Sequence, residues 1–391
     1  MMFFLQLVGA MLLALIILVI AVYLYVRYKI RKFIKDIAEG FGELSATVPP
    51  FRIKLTSREQ AEDELRDAMG DDDEEEEFFM DEDSVEKHSK SFVGLGFRPI
   101  SDFNTDTVLN LRVLVHDQNS TFAVIYDHYS AGVWCDLYRG YRDGASWTYS
   151  SAKDPGMDIM PGHTQRFFPD VEVEEIAKQF WAQAPSDGIE IVADAEFARY
   201  FEKKYAEGMN WKIQRGGPTE EEIRRVAELS GDECTEEAIR STQEQWATEI
   251  SGFLGDLAIK QFNKQNDVSK QDAADREFRV FAVHERMPTQ ELLESIHQDF
   301  YLDMDEDLED DEEEDPDTIK WRREFDRVSA VRESKTVIET FHAVLEESGK
   351  RDTYECLGAV SKPVEAEIWL RPYDEEDEEF EDDDELDDFE L

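Results

Sequence analysis

The sequence predicts an α+β fold. Short β-rich runs succeed one another over residues 107–150, amphipathic helical stripes follow over 171–263, and no regular β-α-β alternation joins the two groups. Two further features frame this body: an apolar stretch that predicts a single N-terminal transmembrane helix, and acid-rich tracts expected to be disordered.

The anchor is expected at 1–27. Residues 3–26 carry no charge and are nearly all Leu, Ile, Val, Ala, Met and Phe, enough for a helix of roughly 36 Å across a hydrocarbon core of about 30 Å. Arg27, Lys29, Arg31, Lys32 and Lys35 follow the span and no base precedes it. A cleaved leader has the opposite order, so retention is expected. Positive charge stays inside, which predicts a single-pass protein of the cell membrane with the N-terminus out and the C-terminal portion cytoplasmic. The lipid bilayer is then one partner, through residues 3–26.

Residues 28–90 read as a basic juxtamembrane segment followed by an acidic flexible linker. Ile30, Phe33, Ile34, Ile37 and Phe41 recur at helical spacing among bases, Pro49 and Pro50 end that run, and a charge-rich stretch leads to residue 90. An α+β domain is expected over 91–300. Leu109, Leu111, Val113 and Val115 alternate, as do Phe122, Val124, Tyr126 and His128, which is the period of an antiparallel β-meander with a buried face. Helices come next. Val173, Ile176, Ala177, Phe180 and Trp181 form one stripe, and Phe197, Phe201 and Tyr205 another. Thr219 and Glu222 have capping-box spacing, and Ile239, Trp246, Ile250, Phe253, Leu257 and Phe262 mark the longest helix. Beyond an acidic linker at 301–317, a small helix-plus-hairpin region covers 318–373, with paired runs at 353–359 and 364–370, and an acidic tail occupies 374–391.

The 391 residues hold 92 acids and 42 bases, a formal charge of −50. Tracts 71–83, 303–317 and 374–391 contain 36 of those acids and no Lys or Arg, so the rest of the chain carries only −14. The charge excess is a property of three solvated tracts. This balance argues against nucleic acid as a partner, because binders of phosphate need the other sign. Cys135, Cys234 and Cys356 are few, odd in number and widely spaced, as isolated reduced thiols are.

Four residues in or just after the meander suit general acid-base work: Asp127, His128, Asp143 and His163. Ser130, Cys135 and Ser146 are nearby nucleophiles, yet none sits in a G-x-S-x-G elbow. The blander alternative is that His128 ends an apolar strand face and His163 makes a local turn bond. Metal chemistry is not expected: His284-Glu285 is followed by Pro288 where a second His would complete HExxH. Asp303, Asp305, Asp307 and Glu314 fall at positions 1, 3, 5 and 12 of an EF-hand-like loop, but Leu308 stands at the position that needs Gly, so these calcium candidates are weighed against loose cation condensation. No cofactor is expected.

Large apolar groups punctuate two of the tracts. Phe78 and Phe79 follow the first run of acids, and Phe380 and Phe389 lie in the tail, a pattern in which charge steers and an aromatic anchors a partner. Over a few residues the tail resembles the acidic, Phe-tipped tails with which bacterial single-stranded-DNA-binding proteins recruit partners, with Leu391 in the final place. The expected function is a membrane-anchored cytoplasmic binding or scaffold module that recruits a basic protein partner through its acidic tracts. The alternative is a membrane-tethered hydrolase with a His/Asp site in the meander.

Overall fold

The computed structural model describes residues 48–61, 78–105, 109–116, 120–128, 130–297, 300 and 316–372. They form an α+β structure that divides into two compact units, one of residues up to 212 with 218–242, the other of 213–217 with 243 onward.

Unit one is built on a seven-stranded sheet: β1 (Leu55–Ser57), β2 (Arg98–Thr105), β3 (Leu109–His116), β4 (Thr121–His128), β5 (Gly132–Gly140), β6 (Ser146–Ser150) and β7 (His163–Phe167). The strands lie in chain order. Alternation in β3 and β4 becomes register, with Leu111 opposite Tyr126, Val113 opposite Val124 and Val115 opposite Phe122. The meander expected over 107–150 is antiparallel through β6, and β7, which the sequence did not announce, joins β6 in parallel with Ser146 opposite His163, which makes the whole sheet mixed. The 151–162 connection is long enough to bring the chain back in the same direction, which a tight hairpin is not.

One sheet face packs under α1 (Glu82–Gly94) and α2 (Val173–Gln183), where Phe92, Leu114, Ile125, Leu137, Tyr149, Ile176 and Phe180 are buried together. On the other face, Leu55, Phe103, Leu111, Val113, Phe122 and Val124 pack with Phe197 of α3 (Phe197–Arg215). The expected capping box opens α4 (Glu220–Ser230), where Thr219 and Glu222 satisfy each other's backbone N–H, and Gly231 ends it at φ 82°. Next comes α5 (Glu236–Gln265).

The linker expected at 28–90 is corrected where the structure describes it. β1, α1 and the fully buried Phe79 belong to the fold. Acids there have structural work. Asp81 caps α1 by accepting the Ser84 N–H at 3.0 Å, and Glu82 and Asp83 occupy the first turn, where the helix dipole favours negative charge. Arg112 of β3 binds Asp102 through two N–H groups at 2.8 and 2.9 Å, reaches Glu86 at 2.9 Å and Glu82 at 3.5 Å, and lies 5.0 Å over the Phe79 ring.

Unit two contains α6 (Lys270–Ala274), β8 (Val280–His284), α7 (Thr289–Ile296), α8 (Pro316–Arg332), α9 (Val337–Glu347), β9 (Glu355–Val360) and β10 (Ala366–Leu370). The expected closing hairpin is β9–β10. Its second strand also pairs with β8, Ile368 opposite Ala282, giving the order β8-β10-β9, so the chain on either side of 301–315 shares one sheet. Trp369, Phe341, Leu292, Leu293 and Val344 fill its core.

Among the described residues no helix is long and apolar enough to cross a membrane. The longest, α5, spreads Glu236, Arg240, Glu244, Glu249, Asp256, Lys260 and Lys264 along its length. The expected transmembrane helix and the single-pass cell-membrane placement are therefore withdrawn; residues 3–26, which prompted them and the bilayer as a partner, lie outside the described residues.

Because Phe79 is a core side chain, Phe79→Ala should destabilise unit one by about 3–5 kcal/mol. Urea unfolding followed by circular dichroism measures this, and an unshifted midpoint would restore the linker reading.

Candidate functional site

The four acid-base candidates fall between residues 127 and 163 and are divided by the pleat and the turns. Asp127 points to the α1 face, 1% exposed, and its carboxylate accepts the backbone N–H groups of Met80 and Asp81. Its cross-strand neighbour Asn110 donates to the Phe78 carbonyl at 2.6 Å. Together they hold the entry to α1. His128, on the opposite face at the end of β4, accepts the Ser130 and Ala131 N–H groups on Nδ1, each at 3.2 Å. Asp143 closes the β5–β6 turn by accepting the Ala145 N–H at 3.0 Å. His163 opens β7 and bonds Ser146 Oγ through Nδ1 at 2.6 Å. The structure assembles no site from these four residues.

It does gather a different set around His163. Register puts Trp134, Asp136, Tyr138 and Gly140 of β5, Ser146, Thr148 and Ser150 of β6, and His163 and Gln165 of β7 on one side of the sheet, beside the apolar half covered by Phe197. The α3 helix follows this division. Phe197 and Phe201 meet the apolar strands, while Tyr200 meets the polar ones: its hydroxyl bonds that of Tyr138 and donates to Glu190, each at 3.1 Å. Lys204, one turn on, pairs with Glu207 at 2.9 Å. Gly140 makes room for this, because a Cβ there would overlap the Tyr200 hydroxyl.

Burial dominates the electrostatics of that half-face. It raises the Tyr138 and Tyr200 phenols and, with Lys204, lowers the His163 imidazole, so all three are neutral near pH 7. Burial also pushes Asp136 up to about 6, against weaker hydrogen bonding by Ser150 and Tyr126; its Oδ1 is enclosed and accepts no hydrogen bond. Ser146 is 5% exposed, and among the described residues no carboxylate bonds the His163 ring. Chemically the set is a polar lock between α3 and the sheet.

Unit two has a comparable lock. His284, 1% exposed and lowered by burial, contacts the Ser251 carbonyl through Nε2 at 3.2 Å and accepts the Arg286 N–H on Nδ1 at 3.2 Å, which fixes a neutral tautomer.

Phe79 is core and is corrected from partner contact to core side chain, and half-buried Phe78 packs edge-on against it at 4.9 Å. Phe380 and Phe389, and the calcium candidates Asp303, Asp305, Asp307 and Glu314, lie outside the described residues. Among the described residues no group of three or more His, Cys, Asp or Glu is placed to hold a metal ion. Comparison with known proteins finds no matching family model, no matching curated protein and no matching solved structure.

The sequence reading passed over Asp136, Tyr138, Tyr200 and Lys204. The first two were accessible to it, since alternation through β5 assigns them one face; their neighbours on α3 depend on how the helix is laid down.

Asp136 gives a pH test. Its folded value of about 6 exceeds the ordinary 3.8, so its contribution is fully present below pH 3.8 and is lost as pH rises through 6. The unfolding free energy of wild type minus that of Asp136→Asn should fall by on the order of 3 kcal/mol between pH 4 and 7. A difference independent of pH would contradict the assignment.

Proposed function

We propose that this chain is a binding module that recruits a basic protein partner through its acidic tracts. The observation that carries the reading is the division of charge: 36 of 92 acids sit in three base-free tracts, and the first of them ends on a built anchor. Asn110, Asp127 and Arg112 hold residues 78–82, so acids preceding residue 78 depart from a defined point on the folded surface. Anchoring shortens the search for a partner, and a dense run of carboxylates steers a basic one. The hydrolase reading loses its support with the dispersal of Asp127, His128, Asp143 and His163, each committed to a separate hydrogen bond.

The test is capture by the full chain from an extract of its own cells, with the captured proteins identified. They are expected to be basic, to be released between 50 and 500 mM salt, and to be lost when the acids of 71–77, 303–315 and 374–390 are changed to their amides. Capture indifferent to salt, or surviving that neutralisation, would sink the reading.

A further inference from the structure

We propose that the pocket beside the β5–β6 turn receives one positively charged side chain, a lysine ammonium or an arginine guanidinium. This deepens the binding-module reading and rests on it only for the partner that would supply the side chain.

The pocket has a volume of about 380 Å³ and is formed by Tyr141, Arg142, Asp143, Ala145 and Trp147 on one side and by Pro185, Asp187 and Gly188 on the other. That size lies at the lower end of the range for small-molecule sites and suits a side chain with its terminal group. The rim is preorganised by the backbone. Tyr141 donates to Ala145 at 2.9 Å, Arg142 donates to Gly188 at 2.9 Å, and Tyr141 forms a bridge with Ile189, so the turn and the segment after α2 are held at fixed spacing. The Tyr141 hydroxyl is committed to the Pro185 carbonyl at 3.0 Å.

The chemistry of the lining selects a cation. Trp147 and Tyr141 supply aromatic surface, and Trp is the best of the ring partners for an ammonium or guanidinium. Two carboxylates line the same space. Asp143 spends one contact on the Ala145 N–H, and Asp187 makes no hydrogen bond or ion pair among the described residues, so acceptor capacity is unspent at the mouth. The neighbouring bases do not neutralise them. Arg139 lies behind the wall, buried, with its N–H groups on Thr121 Oγ1 and the Pro185 carbonyl. Arg142 is exposed and pairs with neither Asp within the described residues, and it is the one lining group that opposes a cation.

The full chain is titrated in 0.5 M salt with Nα-acetyl-lysine methylamide and Nα-acetyl-arginine methylamide, and tryptophan indole resonances are followed by NMR. High salt screens the acidic tracts, and a single capped residue cannot bridge them to the pocket. Trp147→Phe assigns the reporting resonance. That resonance is expected to shift saturably with millimolar affinity; Asp187→Asn, which breaks no hydrogen bond, should weaken binding about tenfold, and Arg142→Ala should strengthen it. The uncharged norleucine analogue should leave the resonance in place. No saturable shift, an equal response to norleucine, or an affinity unchanged in Asp187→Asn would each overturn the proposal. Capture that depends on the tracts, together with a silent Trp147, would overturn the pocket alone. A responding Trp147 with capture indifferent to tract neutralisation would overturn the binding-module reading alone.

Discussion

Arg112 ties the first helix of unit one to its sheet. It stands on β3 among Asp102, Glu86 and Glu82, three carboxylates from two elements, with the Phe79 ring beneath it. Without the guanidinium those acids would face one another beside an apolar core, and like charges at such spacing repel. With it, α1 is tied to the sheet and the stretch before α1 is covered. Asp127 and Asn110 complete the same device by taking the backbone groups of Phe78, Met80 and Asp81. One cross-strand neighbourhood thus turns the end of an acidic tract into folded structure.

The second constraint is the unequal sheet face beneath α3. Strands β1 to β4 present Leu55, Phe103, Leu111, Val113, Phe122 and Val124, and the helix answers with Phe197 and Phe201. Strands β5 to β7 present Asp136, Tyr138, Ser146 and His163, and the helix answers with Tyr200 and Lys204. Burying polar groups costs free energy unless they are bonded, which accounts for the pairing of Tyr138 with Tyr200 and of Ser146 with His163. Asp136 is the exception, with one oxygen bare, and its burial raises its pKa. A cluster of His, Ser and Tyr can therefore be structural, and here the burial of Ser146 and the bond between its hydroxyl and His163 give that account.

Much of the fold was legible. Period-two alternation located β3 and β4, reciprocal Thr-x-x-Glu spacing located the start of α4, and paired β-rich runs located β9 and β10. These features are local, so a window of a few residues contains their cause. Phe79 and α1 were missed because their surroundings are acid-rich, and composition alone does not reveal that Arg112, thirty residues on, compensates the charge. The parallel β6–β7 pair and the β8–β10 pair were hidden for another reason: their partners are set by long connections rather than by pattern. The four acid-base candidates illustrate the limit of adjacency. Asp127 and His128 are consecutive and therefore face opposite ways across the sheet, a fact their spacing already contained. Trp147 and Asp187 show the converse, since nothing in a span of forty residues announces that they line one pocket.

Hydrogen exchange at the amides of Met80 and Asp81 tests the central claim most directly, because those two N–H groups are the ones Asp127 accepts. If the end of the first acidic tract is part of the fold, both amides should be protected to an extent approaching that of the β4 backbone, and Asp127→Ala should release them. Exchange at the rate of an unstructured chain in the wild-type protein would mean that the tract is not anchored and that the account is wrong.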